Sequence, residues 1–411
     1  MVCRTLIRAG ALGRSGLDRV SHPQRVHGVV FQGRFRKYRL DRSGARLWHC
    51  LRAETALSEP EYDRALVERT LDDARRRTQA ALGRFFEERR STGLETLYDQ
   101  ISDYPFRIGK GLRPALVYAA CQGMGGTPAQ AENTAAAIEL FHNGALVHDD
   151  IEDISDFRRG DETLFRRHGV PIAINTGDAT FVFCLSLLLA NVERLGLRKA
   201  LRILQDFERL SRESVEGQAI ELDWIRHARF DLDDESYLKM AYKKTCWYTM
   251  IAPLRLGIIA GSGPTHLEGL EQALLKVMEL GYYAGIGFQI QDDLLNLTAD
   301  EVLYGKEISG DLFEGKRTIM LLHFLRTAPS DEHDRAIRLL KLPRGDKTEA
   351  EVHWLLEAMQ RTGSLEYGRT LARDFIRRAL DIEAQALSIM PPGRHRQFIR
   401  EVLKFVIVRL K

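Results

Sequence analysis

Long stretches with the apolar spacing of helices follow one another through most of this chain, and Gly or Pro residues separate them. In Glu61–Arg90, for example, Val67, Leu71, Ala74 and Phe85 recur on or near one face. No stretch shows the alternating pattern of a β-strand bounded by turn residues. Further helices are predicted over Pro128–Asp153, Pro171–Leu195, Arg198–Ile220, Asp234–Ala260, Leu267–Leu297 and Ser364–Leu387. Because several of these are apolar most of the way round, we predict an all-α fold, a large helical bundle.

Residues 1–57 differ in composition from the rest of the chain. Arg and Lys greatly outnumber Asp and Glu there, and apolar periodicity is poor. Such a segment buries too little apolar surface to offset its ordering entropy. We therefore predict a disordered basic extension over 1–57 and one folded domain over 58–411, with Ser58 as the first N-cap and Pro60 near N1. A transit peptide, a misassigned start codon and a nucleic-acid arm are the alternatives for the extension.

The bulk composition argues against several classes of partner. A formal net charge of +3 is small for 411 residues, so nothing points to nucleic acid or to an anionic membrane surface. No apolar run reaches the roughly 18 residues of a transmembrane segment, and the nearest candidate, Ala179–Ala190, is expected to be a buried helix. The five cysteines are scattered and form no CxxC pair, which favours unlinked thiols in the reduced cytoplasm.

Two acidic clusters each end an apolar run, and they are the strongest chemical signal in the sequence. The first contains Asp149, Asp150 and Asp153, and the second contains Asp292 and Asp293. On a helix Asp149 and Asp153 share a face, whereas Asp150 lies about a third of a turn away. Such clustering is costly unless it is neutralised, and carboxylate oxygens suit Mg²⁺. We predict that all five aspartates hold Mg²⁺ across a shared cavity; a solvated acidic helix end is the alternative.

Basic and polar side chains flank both clusters. They are Arg158 and Arg159 after the first cluster, Lys110 and Arg113 at a helix start upstream, Lys244 with Thr245, Gln289 before the second cluster, and Lys306 and Lys316 around a Gly-punctuated loop. Backbone N–H groups at a helix start favour an anion. Metal ions on one side and Arg or Lys on the other are what a metal-bound diphosphate needs. Each of these residues, taken alone, is equally compatible with ordinary surface charge.

Seven segments together resemble the trans-isoprenyl diphosphate synthases, the polyprenyl synthetase family. They are GKGLRP (109–114), ELFHNGALVHDDIEDISDFRRG (139–160), AINTGD (173–178), EGQAIELD (216–223), YKKT (242–245), GFQIQDDLLN (287–296) and YGKEISGDLFEGKRT (304–318). Their order and spacing are those of the family, and the resemblance covers about residues 60–411. It implies the all-α isoprenoid synthase fold around a central cavity, a catalytic domain over 58–411, and a homodimer.

The resemblance also implies roles for individual residues. Asp149, Asp150, Asp153, Asp292 and Asp293 match the Mg²⁺ ligands, and Lys110, Arg113, His142 and Arg159 match the isopentenyl diphosphate site. Arg158, Lys244, Gln289 and Lys306 match allylic diphosphate contacts, with Thr245 beside them, and Lys316 is expected to bind substrate without assignment to either site. Arg158 and Lys244 join the five aspartates as the predicted catalytic residues. The expected cofactor is Mg²⁺, as three ions when diphosphate is bound. The expected reaction is ionisation of the allylic diphosphate, attack by isopentenyl diphosphate, and loss of a proton.

Two positions bear on how this chain differs from other family members. Asn296 stands where many members have a third Asp, which removes one negative charge from the second cluster. Gly144 and Ala145 lie about one helical turn before Asp149, where members with short products usually carry an aromatic residue. Their small volume favours a product of about C20 or longer. Phe141, or Phe181 and Phe183 on a neighbouring helix, are the candidates for the floor of the tunnel.

The expected product is therefore geranylgeranyl diphosphate, with a longer all-trans polyprenyl diphosphate as the alternative. A terpene cyclase on the same scaffold is a second alternative, but it would not need the isopentenyl-site residues Lys110, Arg113 and His142. A non-catalytic regulatory subunit is a third, but it would be expected to lose acidic motifs.

Overall fold

The computed structural model describes residues 61–90, 94–107, 109–263, 270–298 and 309–408, and nearly all of them are helical. The α-helices of the first half are α1 Arg64–Arg90, α2 Glu95–Phe106, α3 Leu112–Gly123, α4 Pro128–Glu152, α5 Leu164–His168, α6 Val170–Leu189, α7 Asn191–Leu195 and α8 Leu197–Arg226. Those of the second half are α9 Asp234–Ala241, α10 Ala252–Gly261, α11 Leu270–Thr298, α12 Gly310–Glu314, α13 Ile319–Thr327, α14 Ser330–Leu340, α15 Glu349–Arg361, α16 Ser364–Ala386 and α17 Arg394–Val408. The prediction of an all-α fold is confirmed.

Strand structure in the described ranges is limited to one small hairpin. Phe157–Arg158 pairs antiparallel with Asp161–Glu162 directly after α4. The turn contains Arg159 and Gly160, both at positive φ. The hairpin thus places two consecutive arginines beside the first acidic cluster.

The helices pack around a core in which the most apolar segments lie at the centre. Helix α4 packs most extensively against α6, α3 against α10, and α11 against both α16 and the segment before α10. Every residue of α10 is buried, Arg255 included, because Asp206 accepts hydrogen bonds from its guanidinium. All described residues belong to one compact unit, Glu59–Lys411. Residues 1–57, predicted to be an extension, lie outside the described ranges.

Several helix boundaries differ from the predicted ones for identifiable reasons. Helix α1 begins at Arg64 rather than Glu61, because Asp63 Oδ1 accepts the Leu66 N–H at 2.9 Å and Asp63 acts as the N-cap. The predicted cap Ser58 lies outside the described residues. The helix predicted over Pro171–Leu195 is divided at Ala190 into α6 and α7. The helix start predicted near Lys110 and Arg113 is confirmed by α3, but its extent was not predicted, since α3 is too uniformly buried to show a period.

The predicted helix Asp234–Ala260 contains a wide turn that sequence periodicity did not indicate. Tyr242–Ile251 is π-helical and joins α9 to α10. Segments of this kind occur often at functional sites, and this one contains Lys244 and Thr245. Gly217 on α8 lets the two backbones approach closely, since a Cβ there would lie 2.5 Å from Lys244 Cα.

The expectation that Ala179–Ala190 is a buried helix is wrong for one face. Val182, Leu185 and Leu189 are 59%, 47% and 59% exposed. The stretch Val170–Leu195 is long and apolar enough to cross a membrane by length and composition alone, and 39% of its most apolar window is buried. Core helices of soluble proteins meet the same criterion.

Cys121, Cys184 and Cys246 are buried free thiols, as predicted, whereas Cys3 and Cys50 lie outside the described residues.

The close packing of α3 on α10 predicts a large effect of one added methyl group. In Gly257→Ala the new Cβ would lie 2.6 Å from Ala120 Cβ and overlap the Val117 carbonyl oxygen. Overpacking of this kind costs about 1–3 kcal/mol, so we expect a lower Tm in thermal unfolding followed by circular dichroism. Gly393→Ala is the matched control, because no atom lies within 4 Å of its Cβ position. Equal Tm values for the two variants would contradict this account of the core.

Candidate active site

The first acidic cluster lies at the C-terminal end of α4, where its carboxylates point in two directions. Thr127 and Gln130 form a capping box that begins the helix, and Asp153 is its C-cap. Asp149 and Asp153 are half-buried, whereas Asp150 is only 1% exposed. Burial raises the pKa of Asp149, and the nearby Asp153 adds to the rise while Lys244 opposes it. Asp149 and Asp153 are therefore the pair available to a cation.

Asp150 is held inside the protein by two partners. Tyr104 Oη donates to its Oδ2 at 2.5 Å, and Arg158 Nε donates to its Oδ1 at 2.8 Å. Burial alone would lower the pKa of Arg158, but Asp150 keeps it above its ordinary value. The described contacts thus give Asp150 the task of orienting Arg158. Direct Mg²⁺ ligation by Asp150 and diphosphate binding by Arg158 stay predictions.

The second acidic cluster lies near the C-terminal end of α11. Tyr237 Oη and Gln289 Nε2 donate to the two oxygens of Asp293 at 2.7 and 2.6 Å, and Thr245 Oγ1 in turn donates to Gln289. Burial raises the pKa of Asp293 well above its usual value, and the Asp311 charge raises it further. Asp292 is half-buried. Gln289 and Thr245 thus support the cluster in this structure rather than standing free.

Two lysines lie beside the first cluster, and one of them also reaches toward the second. Lys316 Nζ lies 2.8 Å from Asp153 Oδ2 and 3.6 Å from Asp311 Oδ1, and it also pairs with Glu314. Lys244 pairs with Glu221 and interacts electrostatically with Asp149. Burial acts to lower the pKa of both lysines, but the surrounding carboxylates raise it above its ordinary value. Because Lys316 contacts Asp153 while Asp311 acts on Asp293, the two clusters share one charged region.

The residues predicted to bind isopentenyl diphosphate gather only in part. Arg113 Nη2 donates to Thr249 Oγ1 at 3.0 Å, and the Tyr248 ring lies against both the Arg113 guanidinium and the His142 imidazole. Arg159 Nη1 donates to the Tyr104 carbonyl at 2.8 Å, and its guanidinium lies close to Gly109.

Lys110 is exposed, and its Nζ lies 5.7 Å from the centroid of the Phe405 ring on α17. Lys306, predicted to contact the allylic diphosphate, lies outside the described residues.

The aromatic residues proposed as a tunnel floor separate into two groups. The Phe141 ring packs against those of Phe181 and Phe207 at centroid distances of 5.3 and 5.5 Å. Phe183 instead packs against Phe85 and Tyr98, toward α1 and α2. Gly144 faces α6, since its Cβ would lie 3.0 Å from Thr180 Cγ2. Ala145 is half-buried and lies one turn before Asp149, so it is the better probe of tunnel length.

Several residues of this site were not singled out from the sequence. Tyr104 and Tyr237 each donate a hydrogen bond to one aspartate of a cluster, and Glu221 pairs with Lys244. Glu221 belongs to the EGQAIELD segment, so its position in a family-like motif could have marked it as a site residue. Isolated tyrosines outside every motif carry none, because their role depends on tertiary packing.

The donor set fits Mg²⁺ when it is bound together with a diphosphate. In the described ranges no three His, Cys, Asp or Glu side chains form a ready-made metal site. Mg²⁺ keeps several waters and takes one or two carboxylates plus phosphate oxygens, as Asp149 with Asp153 could supply. Two surface cavities of about 500 and 290 Å³ lie elsewhere, between α1 and α2 and beside the start of α8. Neither cavity is lined by a residue of the acidic clusters. At the clusters, Lys244 and Lys316 are paired with carboxylates.

Comparison with known proteins now decides the family. Residues 95–359 match the family described as polyprenyl synthetase. The chain belongs to the polyprenyl synthetase family. It is 32% identical over 301 residues to a short chain isoprenyl diphosphate synthase of Methanothermobacter thermautotrophicus, covering 73% of this chain and 86% of that one. It is 31% identical over 305 residues to a geranylgeranyl diphosphate synthase of Sulfolobus acidocaldarius, covering 74% and 88%.

A solved member of the family confirms the fold. The crystal structure of a geranylgeranyl pyrophosphate synthetase from Pyrococcus horikoshii Ot3 superposes with a TM-score of 0.70 at 29% identity, covering 84% of this chain and 98% of that one. The predicted isoprenoid synthase fold is confirmed. As a family member the chain is an enzyme, a prenyltransferase of the trans-prenyl diphosphate synthase class.

The geometry of the first cluster predicts that Asp149→Ala abolishes turnover without unfolding the enzyme. The half-buried Asp149 lies at the end of α4, where the substitution removes a carboxylate and leaves the helix core intact. The measurement is incorporation of radiolabelled isopentenyl diphosphate, with circular dichroism as the folding check. Asp156→Ala is the control, because Asp156 is exposed and its described ion pair is with Arg166 at the surface. Turnover of Asp149→Ala at the parental rate would remove Asp149 from the metal site.

Proposed function

We propose that this enzyme is a Mg²⁺-dependent geranylgeranyl diphosphate synthase that condenses isopentenyl diphosphate with an allylic diphosphate. The observation that carries the proposal is the charged region itself. Asp149 and Asp153 face Lys316, which reaches toward Asp311 beside the second cluster. A bound metal–diphosphate complex would replace these internal pairs, with its metals on the carboxylates and its phosphate oxygens on the lysines.

The chemistry needs no side-chain nucleophile. The allylic C–O bond breaks with its electron pair leaving on the diphosphate, and in this proposal Lys244, Lys316 and Arg158 stabilise that charge. Mg²⁺ held by Asp149, Asp153 and the second cluster would supply further charge neutralisation when bound. The isopentenyl C=C pair then forms the new C–C bond, and loss of a proton to the departed diphosphate restores a C=C bond. A solved family member from Corynebacterium glutamicum contains isoprenyl diphosphate and magnesium.

A binding site for isopentenyl diphosphate distinguishes the proposed function from that of a terpene cyclase. Arg113, His142 and Tyr248 form a cationic and aromatic group, with the Tyr248 ring against both other side chains. A terpene cyclase would have no use for such a site. A purely regulatory subunit is also disfavoured, because both acidic clusters keep their supporting hydrogen bonds from Tyr104 and Tyr237.

Product length is the finer part of the proposal. Relatives include enzymes named geranylgeranyl, geranylfarnesyl and octaprenyl diphosphate synthases, so family membership alone does not choose among them. The small Ala145 supports passage of the growing chain, and the Phe141–Phe181–Phe207 aromatic group supports a stop further along. We infer a C20 product from this arrangement, with longer chains as the alternative.

We also infer a cytoplasmic homodimer. The exposed face of α6 containing Val182, Leu185 and Leu189 is a long apolar surface of the kind that marks protein–protein contacts. A second copy of the chain is the partner we propose for it. The three described cysteines are free and buried, which supports a reducing compartment. A monomer at micromolar concentration in size-exclusion chromatography with light scattering would contradict the dimer, and fractionation with a membrane or organelle would contradict the location.

The function is tested by incubating purified protein with isopentenyl diphosphate, Mg²⁺ and each allylic primer, then identifying products by mass. We expect a C20 end product. A C15 end product would overturn the chain-length argument, and absence of elongation with every primer would overturn the proposed function.

We predict that Ala145→Phe shortens the product, because Ala145 lies one turn before Asp149 on α4. The new ring would project one turn before Asp149, above Phe141, and block the chain before it reaches the aromatic group. The measurement is the product distribution by mass, with C15 expected to replace C20. Phe183→Leu is the matched control, because Phe183 packs against Phe85 and Tyr98 instead. An unchanged distribution for Ala145→Phe would show that the chain takes another path.

A further inference from the structure

The short helix α12 brings Lys316 to the active site, and it cannot be stable by itself. It has five residues, Gly310–Glu314, whereas isolated helices need many more to persist in water. Both flanking residues are left-handed, Ser309 at φ 61° and Gly315 at φ 77°. A serine in that conformation is disfavoured. Contacts from outside the segment must therefore fix its position, and with it the position of Lys316.

Asn296 fixes the N-terminal end. Its backbone carbonyl accepts the Ser309 N–H at 2.7 Å, and its side-chain Oδ1 accepts the Asp311 N–H at 3.1 Å. Asn296 is 6% exposed. Many family members have Asp at this position. In this chain the Asn296 side chain has a role of its own, since it accepts a hydrogen bond from the start of α12. A neutral amide keeps the acceptor and adds no further charge beside Asp293 and Asp311.

Lys347 fixes the C-terminal end from a distant part of the chain. It follows the 3₁₀ turn Arg344–Asp346 and precedes α15. Its Nζ donates to the carbonyls of Leu312 and Phe313 at 3.1 and 2.6 Å. The end of a helix leaves carbonyls with unused acceptor capacity, although the Leu312 carbonyl also accepts the Gly315 N–H at 3.2 Å. A cation there also complements the helix dipole.

The surroundings of Lys347 do not favour its charge. It is 7% exposed, and burial, together with the charges of Arg317 and Arg344, lowers its pKa to about 8, while Glu314 opposes the change. A group whose folded-state pKa is depressed in this way costs stability while it is protonated at neutral pH. The buried charge of Lys347 is thus better explained by its contacts with the end of α12 than by a contribution to folding stability.

We propose that Asn296 and Lys347 are positioning residues that clamp α12 at both ends, so that Lys316 meets the allylic diphosphate in the correct place. The proposal rests on the proposed function, in which Lys316 contacts that diphosphate. In this proposal neither residue contacts the substrate directly. Lys316 lies two residues beyond the clamped helix, so loosening either end would let it drift away from Asp153 and from the ligand.

The test measures the two substrate KM values separately in Lys347→Met and Asn296→Ala. Each variant should raise the KM for the allylic diphosphate about tenfold, as expected when charge-assisted or buried hydrogen bonds are lost. The KM for isopentenyl diphosphate should change by less than about twofold, because Arg113 and His142 lie elsewhere. Lys316→Ala provides the reference effect. Lys341→Met is the matched control, since Lys341 is an exposed lysine that, like Lys347, lies between α14 and α15.

Conservative variants distinguish positioning from general support of the fold. Asn296→Asp keeps the oxygen acceptor for the Asp311 N–H and should restore most of what Asn296→Ala loses. If Lys347→Met lowers the Tm strongly, the two Asn296 variants decide the question. Equal changes in both KM values, or no change in either variant, would overturn the positioning role. If Lys316→Ala leaves the KM for the allylic diphosphate unchanged, both this proposal and the assignment of Lys316 are overturned. If Lys316→Ala raises that KM but Lys347→Met and Asn296→Ala do not, only the clamp is overturned.

Discussion

The structure of this active site depends on the neutralisation of carboxylates that are gathered in a partly buried region. Asp149 and Asp153 on α4 and Asp293 on α11 would repel one another if left alone, and burial already raises the pKa of Asp149 and Asp293. Lys316 and Lys244 supply opposite charge from two further elements. We propose that these internal pairs are exchangeable, because a metal–diphosphate complex would bring both the cations and the anions that replace them.

The scaffold holds these groups through contacts that are themselves not reactive. Tyr104 and Tyr237 each hold one aspartate, so that Arg158 and Gln289 are oriented in turn. The π-helical turn Tyr242–Ile251 places Lys244 against Gly217, where only a glycine permits the approach. The apolar helices α3 and α10 form the packed centre behind them. Rigid packing outside the site thus permits strained and charged geometry inside it.

Much of this was predictable from sequence, and the limits have physical reasons. Helical periodicity is a local signal, so α4 begins at the predicted Pro128 and ends within one residue of its predicted boundary. The acidic clusters were visible because like charges rarely gather without cause. The roles of Tyr104, Lys347 and Asn296 depend on residues that lie from 15 to 46 positions away in sequence, and no local pattern encodes such contacts. The buried helix expected at Ala179–Ala190 was wrong because apolar composition does not reveal which face is covered.

The central claim is that the two acidic clusters form one metal–diphosphate site. Anomalous diffraction from crystals grown with Mn²⁺ and an unreactive thiolo analogue of the allylic diphosphate tests it directly. The account predicts manganese ions on Asp149 with Asp153 and on the second cluster, both contacting a single diphosphate that Lys244 and Lys316 also bind. Manganese at one cluster alone, or a diphosphate that leaves Lys316 paired with Asp153, would contradict it.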